Sequence, residues 1–364
     1  MARIDAFLQL GREQGCSDVH LAVGVPPMLR MNGDLTTVKY RDLGEEELTN
    51  LVYEIINEAQ QKEFEGGRDL DFSYVAPTIG GFRVNLYRKV GGIGATFRVV
   101  PSEIPEMSNI GLPEIMDRLI YSHQGLILVT GTTGTGKTTT LAAMINQINK
   151  SRPKNIITLE DPIEFVHKSK ESLVVQREVG THVSSFSDGL RAALREDPDV
   201  ILVGELRDTE TISLALMAAE TGHLVLGTLH TSNAMKTLDR VIDALPPEQR
   251  AQGVSALAQN LVAVVSQNLV RTLDGRSRKA ILEVMLMIPA ISNLLLTGKM
   301  HQIQSQIETG GERGMQSMDQ ALLQGILDKS IDPDDAYLYA VEKKSFQQYV
   351  TDPTLLPQVN LVGQ

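Results

Sequence analysis

The chain has 364 residues, of which 42% are hydrophobic and 22% are charged, and its formal net charge is −11 at pH 7. This balance excludes wholesale disorder and suits two or three domains of ordinary size. The acidic charge and the lack of tryptophan argue against a dedicated nucleic-acid binder, while a single cysteine, Cys16, excludes an intramolecular disulfide and a cysteine-based zinc site.

The first hundred residues have the pattern of a small mixed α/β domain. Helical spacing runs over residues 4–14, and the SDVHLAV segment then alternates like a strand. Asn32-Gly33 predicts a hairpin turn, because both positions tolerate a positive φ. One helix is predicted over residues 45–64, since the three glutamates at its start suit the positive end of the helix dipole. Further strands are predicted at residues 69–75 and 82–88 and in the ATFRVV segment.

The composition changes at residues 101–113, where three prolines without apolar periodicity indicate a linker. Beyond it, the apolar runs LILVTG, NIITLED, DVILVGEL and LVLGTL alternate with helical segments at 138–149 and 210–221. This alternation is typical of a mainly parallel sheet covered on both faces. Residues 253–270 are interpreted as an amphipathic or buried helix rather than a membrane span, and the chain after Gly275 is predicted to be largely helical.

The most specific motif is GTTGTGKT at residues 131–138, directly after a strand and before a helix. It matches the phosphate loop G-x-x-x-x-G-K-[ST] in the required context, and these flanks disfavour a chance Gly/Thr turn. Backbone N–H groups of such a loop surround phosphates, Lys137 neutralises β- and γ-oxygens, and the Thr138 hydroxyl binds Mg²⁺. The residues predicted to bind ATP are Thr133, Gly134, Thr135, Gly136, Lys137, Thr138 and Thr139.

Three further strand ends carry candidate catalytic groups. Glu205 follows the DVILVG strand, where a carboxylate can bind Mg²⁺ or polarise the attacking water. Glu160, beside Asp161 and ahead of Pro162, can contact metal-bound water, and His230 can donate to the γ-phosphate. Each residue also has a structural interpretation as a solvated strand end, a charged loop or a packing histidine. The phosphate loop favours the functional interpretation, with Thr138, Glu160 and Glu205 as the predicted Mg²⁺ ligands.

These blocks, in this order, resemble the secretion ATPases of the type II/type IV pilus superfamily. The resemblance rests on the phosphate loop together with TLEDPIEF, LREDPDVILVGELRD and GHLVLGTLHT. Three features make the chain more similar to one group of this superfamily, the retraction ATPases of type IV pili, the PilT type. The chain begins almost directly with SDVHL, and it lacks a paired CxxC motif. It also has AISNLL where that group has AIRNL. Two residues depart from the pattern, Ser292 in place of arginine and Thr132 in place of a common proline.

The resemblance implies an α/β fold with a PAS-like N-terminal domain (1–100), a linker (101–113), a RecA-like P-loop ATPase core (114–275) and a mostly helical C-terminal region (276–364). It implies a homo-hexameric ring that hydrolyses ATP with Mg²⁺ and powers pilus retraction. Such a ring is expected at the cytoplasmic face of the inner membrane, peripheral to the bilayer, beside an inner-membrane platform protein and without nucleic acid.

Arginines on a glycine-flanked hairpin just before the linker provide a second set of candidates. Arg83 and Arg98 match positions of the family and are predicted to contact the γ-phosphate from another domain, which would couple phosphate state to domain angle. Arg88, on the same hairpin, is explained as well by an exposed structural position.

Three alternative functions remain open at this stage. The short N-terminus and the missing zinc motif count against a pilus-assembly or type II secretion ATPase. The net charge of −11 counts against a RecA-like DNA translocase. A nucleotide-binding regulatory paralogue is opposed by the intact Glu160, Glu205 and His230 and mildly favoured by Ser292.

Overall fold

The computed structural model describes residues 2–31, 34–100, 103–275 and 277–356, and the chain divides into two units. The first unit takes Met1–Ile104 together with Pro162–Val166, and the second takes Pro105–Asp161 together with His167–Gln364. The predicted turn at Asn32-Gly33 lies outside the described residues, although the strands on either side of it pair antiparallel.

The described residues of the first unit form an antiparallel sheet with helices against one face. Its elements are α1 (Asp5–Glu13), β1 (Asp18–Ala22), β2 (Met28–Met31), β3 (Asp34–Thr37), α2 (Glu45–Tyr53), α3 (Glu58–Glu65), β4 (Leu70–Ala76), β5 (Gly80–Lys89) and β6 (Gly92–Val99). The strand order is β3-β2-β1-β6-β5-β4. Alternate residues such as Val84 and Phe97 are buried in one core with Leu8 of α1. The side chains at the intervening positions of these strands, including Arg83 and Arg98, therefore lie on the opposite, polar face.

Residues 45–64 form two helices where one was predicted. The second helix, α3, begins after Asn57, whose side chain accepts a hydrogen bond from the Gln60 N–H at 2.9 Å. The Gln60 side chain in turn accepts from the Asn57 N–H at 3.0 Å. This capping box satisfies N–H groups that a helix start leaves without partners, so the chain can turn and begin a new helix here.

The second unit is built on a mainly parallel sheet. Its strands are β7 (Gly125–Thr130), β8 (Asn155–Glu160), β9 (Leu173–Glu178), β10 (Val200–Val203), β11 (Leu224–Leu229), β12 (Leu261–Arg271) and β13 (Arg278–Leu286). Its helices are α4 (Ile115–Leu119), α5 (Lys137–Ser151), α6 (Phe186–Ala193), α7 (Thr209–Glu220), α8 (Ala234–Ala244), α9 (Arg250–Asn260), α10 (Pro289–Leu296), α11 (Ile303–Thr309), α12 (Met318–Leu327), α13 (Pro333–Tyr339) and α14 (Lys343–Phe346). Short 3-10 turns occupy Pro247–Gln249, Met300–Gln302, Gly311–Arg313, Gln347–Tyr349 and Pro353–Leu355.

The central strands β7, β8, β10 and β11 are buried on both faces, as their continuous apolar runs predict, whereas the edge strand β9 is only partly buried. The order is β13-β12-β7-β11-β10-β8-β9, and β13 alone among these described strands runs antiparallel to its neighbour. Leu126 and Leu128 of β7 pack in a core shared with α6 to α11, whereas Ile127 and Val129 pack in a second core with α4 and α5. Among the described residues, no helix combines the length and apolar composition that crossing a bilayer requires.

The single helix predicted over residues 253–270 is wrong. Helix α9 ends at Asn260, and β12 begins at Leu261 and pairs with β7 on one side and β13 on the other. The LVAVV run is rich in β-branched residues, and it becomes a strand by pairing with β7, more than a hundred residues earlier in the chain, and with β13, so its local sequence pattern alone did not reveal it. The mostly helical C-terminal region likewise begins with a strand, β13, that the sequence pattern did not indicate.

A buried carboxylate caps two helices of this unit. Glu283 of β13 is 3% exposed, and its Oε1 accepts a hydrogen bond from the N–H of Ala234 at 2.7 Å, the first residue of α8. The carboxylate also accepts from the N–H of Met318, the first residue of α12. Burial raises the pKa of Glu283 above its usual value, against the effect of these two hydrogen bonds. Glu283 thus joins the start of α12 to the start of α8.

We expect Glu283→Ala to lower the free energy of unfolding of the second unit by about 2–4 kcal/mol, because two buried N–H groups lose their acceptor. Glu283→Gln keeps an acceptor oxygen and serves as the matched control in thermal unfolding.

Since the pKa of Glu283 is raised, the penalty for burying its charge is fully present above that raised pKa and is lost as the pH falls toward the ordinary glutamate range. The melting temperature of the wild-type protein should therefore rise relative to that of Glu283→Gln as the pH is lowered. An alanine variant as stable as the glutamine variant would contradict the capping role.

Candidate functional site

The carboxyl ends of neighbouring parallel strands carry the predicted site residues of the second unit. Strands β7, β11, β10 and β8 are adjacent in that order and run parallel. The phosphate loop at 131–136, His230, Glu205 and Glu160 stand at their respective carboxyl ends. Parallel strands present these ends at one edge of a sheet, which is where open α/β sheets bind ligands.

The phosphate loop has a conformation that depends on its glycines. Gly131, Gly134 and Gly136 have φ angles of 149°, 81° and 85°, which side chains with a Cβ rarely adopt. A Cβ on Gly131 would also lie 2.5 Å from both the Gln267 carbonyl oxygen and Thr135 Oγ1. Helix α5 begins directly after Gly136, so the N–H groups of its first turn and its positive dipole end face the loop.

Lys137 is buried, and its ammonium group lies across the loop. Its Nζ donates to the carbonyl oxygens of Gly131 at 2.8 Å and Thr132 at 3.0 Å. It also lies 3.5 Å from His230 Nδ1. An ammonium group has only donors, so Nδ1 must be the accepting nitrogen and the ring proton belongs on Nε2. The loop therefore holds its cation in position through its own carbonyl groups.

Glu205 continues this hydrogen-bonded series. Its Oε1 lies 3.3 Å from His230 Nε2, the nitrogen assigned the proton, and its Oε2 lies 2.7 Å from Arg207 Nε. Arg207 in turn lies 3.9 Å from Asp161 Oδ2. The Glu205 side chain is 18% exposed, so the carboxylate is held from two sides yet remains accessible. This arrangement can orient a carboxylate toward a water molecule at the sheet edge.

Glu160, the last residue of β8, is held by different partners. Its side chain is almost completely buried, and its Oε1 accepts hydrogen bonds from Thr158 Oγ1 at 2.6 Å and from Gln176 Nε2 at 3.0 Å. Two donors on one oxygen restrict the rotation of the carboxylate. The structure thus places two carboxylates, Glu160 and Glu205, at the ends of adjacent strands with separate supports.

The oxygen donors at this edge fit a magnesium ion. The carboxylates of Glu160 and Glu205 and the hydroxyl of Thr138, half-buried in the first turn of α5 beside Thr139, are the ligand type that Mg²⁺ prefers. Within the described ranges, no group of three or more His, Cys, Asp or Glu side chains could hold a metal alone. Such a partial donor set suits an ion that is also bound by waters and substrate phosphates.

The two candidate arginines belong to the first unit and lie side by side on the polar face of its sheet. Arg83 of β5 and Arg98 of β6 are register partners. Arg98 Nε donates to Asp18 Oδ1 at 2.9 Å, and the side chains are 68% and 6% exposed respectively. The buried carboxylate therefore anchors an exposed guanidinium. Arg88 instead stacks over the Phe64 ring at 4.7 Å and donates to the Phe64 carbonyl oxygen at 3.0 Å, which supports its structural interpretation.

Two residues at the sheet edge were missed by the sequence analysis. Gln267 of β12 is 2% exposed, and its Nε2 donates to the Thr135 carbonyl oxygen while its Oε1 accepts from Thr140 Oγ1, both at 2.7 Å. No local signal announces this contact, because its partners lie 127 and 132 residues away. The second, Arg207, had a local signal: it lies two residues after Glu205, with opposite charge.

Comparison with known proteins agrees with this geometry. The family model described as "Type II/IV secretion system protein" matches residues 98–325. The type IV pilus retraction ATPase PilT of Pseudomonas aeruginosa is 48% identical over 90% of this chain and 95% of that protein. A twitching motility protein of Neisseria gonorrhoeae is 46% identical over 88% of this chain and 85% of that protein. The chain belongs to the type II/IV secretion system protein family.

Solved structures extend the similarity to the fold. The pilus retraction motor PilT with bound ADP superposes with a TM-score of 0.88 and 41% identity, covering 95% of this chain and 98% of the other. The Legionella pneumophila ATPase DotB superposes with a TM-score of 0.76 and 31% identity, covering 92% and 94%. The resemblance and the fold class expected from the sequence are thereby confirmed: an N-terminal α/β domain, an ATPase domain and a helical C-terminal part.

We expect Gln267→Met to weaken binding of a fluorescent ADP analogue by about tenfold, equivalent to ~1.4 kcal/mol, because the phosphate loop loses its link to β12. Thr140→Val removes only one of the two hydrogen bonds and should cause a smaller loss. Circular dichroism at the assay temperature establishes that both variants are folded. An affinity unchanged in Gln267→Met would show that the loop keeps its shape without this side chain.

Proposed function

We propose that this chain is an ATP-hydrolysing motor that powers retraction of a type IV pilus, and with it twitching motility. The observation that carries the proposal is a glycine-shaped phosphate loop with the Lys137 ammonium across it, at the same sheet edge as Glu205 and His230. Its support from relatives is the 48% identity to PilT over 90% of this chain, and the ADP bound in the similar PilT structure.

In this proposal, the loop from Thr133 to Thr139 binds the phosphates of ATP. Backbone N–H groups and the N-terminus of α5 face the phosphate oxygens, and Lys137 exchanges its carbonyl partners for β- and γ-oxygens. Thr138, Glu160 and Glu205 would hold Mg²⁺, which when bound supplies neutralisation of phosphate charge. These residues keep the γ-phosphate in line with the attacking water.

Glu205 acts as the water-activating group. It takes a proton from the water that attacks the γ-phosphate, and the products are ADP and inorganic phosphate. Arg207 and His230 orient the carboxylate by engaging its two oxygens. In this structure the Nε2–H of His230 faces Glu205. We propose that this N–H donates to a γ-phosphate oxygen instead when the γ-phosphate is present. Glu160 assists by contacting metal-bound water.

The proposal includes a homo-hexameric ring. In it, Arg83 and Arg98 contact the γ-phosphate of a nucleotide held by a neighbouring subunit. A planar guanidinium binds phosphate oxygens bidentately, and Arg98 is oriented for such a contact by Asp18. The ring would work peripherally at the cytoplasmic face of the inner membrane, against an inner-membrane platform protein, without nucleic acid.

A type II secretion function has weaker support. The type II secretion system protein E of Pectobacterium carotovorum is 47% identical over only 44% of this chain and 30% of that protein. Retraction motors, by contrast, match nearly the whole length of both chains.

The central test compares two variants. Glu205→Gln keeps the shape of the side chain but loses the charge that polarises water, so ATP turnover should fall by roughly 10²–10⁴-fold while ATP binding survives. Lys137→Ala should bind ATP weakly and hydrolyse almost none, because the loop loses its cation. Phosphate release and equilibrium nucleotide binding are measured on the same preparations. Wild-type turnover in Glu205→Gln would transfer its role to Glu160, whereas wild-type turnover in Lys137→Ala would remove the catalytic assignment altogether.

Complementation between inactive variants tests the ring and the arginines together. Arg98→Ala subunits keep an intact phosphate loop, and Lys137→Ala subunits keep an intact Arg98. If Arg98 acts on a neighbour's nucleotide, mixing the two inactive proteins with subunit exchange should restore part of the ATPase activity. The same experiment with Arg83→Ala examines the second arginine. No recovery in mixed rings verified by mass spectrometry would assign the arginines to their own chain's nucleotide.

A further inference from the structure

Gln176, a glutamine on the strand beside that of Glu160, has no role in the proposed mechanism. Gln176 lies in β9, which pairs in parallel with β8 so that Gln176 stands opposite Thr158 and Glu178 stands opposite Glu160. Its Nε2 donates to Glu160 Oε1 at 3.0 Å, and its Oε1 accepts the backbone N–H of His167 at 2.7 Å. One side-chain amide therefore contacts two points of the preceding chain.

These two points enclose a segment that changes unit. Asp161 and His167 belong to the second unit, whereas Pro162–Val166 between them belongs to the first. The chain thus leaves the second unit after Asp161 and returns at His167. The Gln176 side chain contacts Glu160, one residue before Asp161, and the backbone of His167 at the return.

The chemistry of an amide suits this position. A carboxylate oxygen needs a donor and a backbone N–H needs an acceptor, and a glutamine side chain supplies both from one rigid planar group. Movement of either partner therefore turns or displaces the group that the other partner binds. Thr158 Oγ1, the second donor to Glu160 Oε1, makes no such contact with His167 and depends only on β8.

We propose that Gln176 is a positioning residue that ties the orientation of the Glu160 carboxylate to the path of the segment 162–166. A displacement of this segment moves the His167 N–H, the amide follows it, and the Glu160 carboxylate loses or regains the hydrogen bond from Gln176. Because such coupling is reciprocal, nucleotide at the sheet edge also shifts the segment. The proposal rests on the proposed function only in giving Glu160 a part in hydrolysis.

Turnover measurements give the first test. We expect Gln176→Met to reduce kcat by about 10–100-fold, the usual scale for loss of a residue that orients a metal-site ligand, with KM and ADP affinity nearly unchanged. Gln176→Glu keeps the acceptor for His167 but places a carboxylate against Glu160, so its kcat should fall at least as far. The matched control is Gln304→Met, because Gln304 of α11 donates to Glu308 at 3.0 Å in a solvent-exposed contact outside the candidate site. Equal kcat in all three variants and the wild-type protein would overturn the proposal.

A double-mutant cycle separates positioning from general destabilisation. If Gln176 acts through Glu160, Gln176→Met should cause little further loss of kcat in a Glu160→Ala background. Full additivity of the two losses would show that Gln176 does not work through this carboxylate and would overturn the proposal.

Hydrogen exchange tests the link to the segment without hydrolysis. In wild-type protein, ADP should change the exchange of peptides covering residues 161–168, and this response should disappear in Gln176→Met. Thr158→Val, which removes the other donor to Glu160, should lower kcat yet keep the response. A missing ADP response in the wild type, or an undiminished one in Gln176→Met, would overturn the coupling. Wild-type turnover in Lys137→Ala would count against the proposed function but not against the coupling, because the exchange response needs only ADP binding.

Discussion

The buried ammonium of Lys137 is the interaction on which the arrangement of the site depends. A charge out of water is tolerated only when it is hydrogen-bonded, and here two carbonyl oxygens of the phosphate loop and a histidine nitrogen surround it. Those carbonyl groups can point at the ammonium because Gly131 and its fellow glycines adopt backbone angles closed to other residues. The burial of the Lys137 charge therefore depends on the glycine-dependent shape of the loop.

The parallel sheet brings residues that are far apart in sequence to Lys137 and its loop. His230 follows β11 and Glu205 follows β10, so the histidine that contacts Lys137 can also reach the carboxylate on the next strand. Gln267 secures the loop from the other side, through β12. In the proposed function, phosphate oxygens would replace the carbonyl groups that bind Lys137 in this structure, so the strand ends would respond directly to nucleotide.

Glu160 belongs to a separate support that leads away from the loop. Its donors come from Thr158 and Gln176, and the second of these also binds the backbone at His167. Glu205 is therefore held by His230 and Arg207, and Glu160 is linked through Gln176 to the backbone at His167. In the proposed function, hydrolysis would then depend on two carboxylates with separate supports.

The sequence by itself determined the parallel strands β7, β8, β10 and β11, the phosphate loop and the strand-end positions of Glu160, Glu205 and His230. These features depend on local patterns: continuous apolar runs, glycine spacing, and polar residues directly after a strand. Local patterns failed where a neighbour decided the outcome. The LVAVV run is a strand because β7 and β13 lie on either side of it, and the helix break at Asn57 depends on a reciprocal pair of hydrogen bonds. Only the tertiary structure could assign Gln267 and Gln176, since a glutamine carries no charge or motif and acquires its role from the two groups that folding places beside its amide.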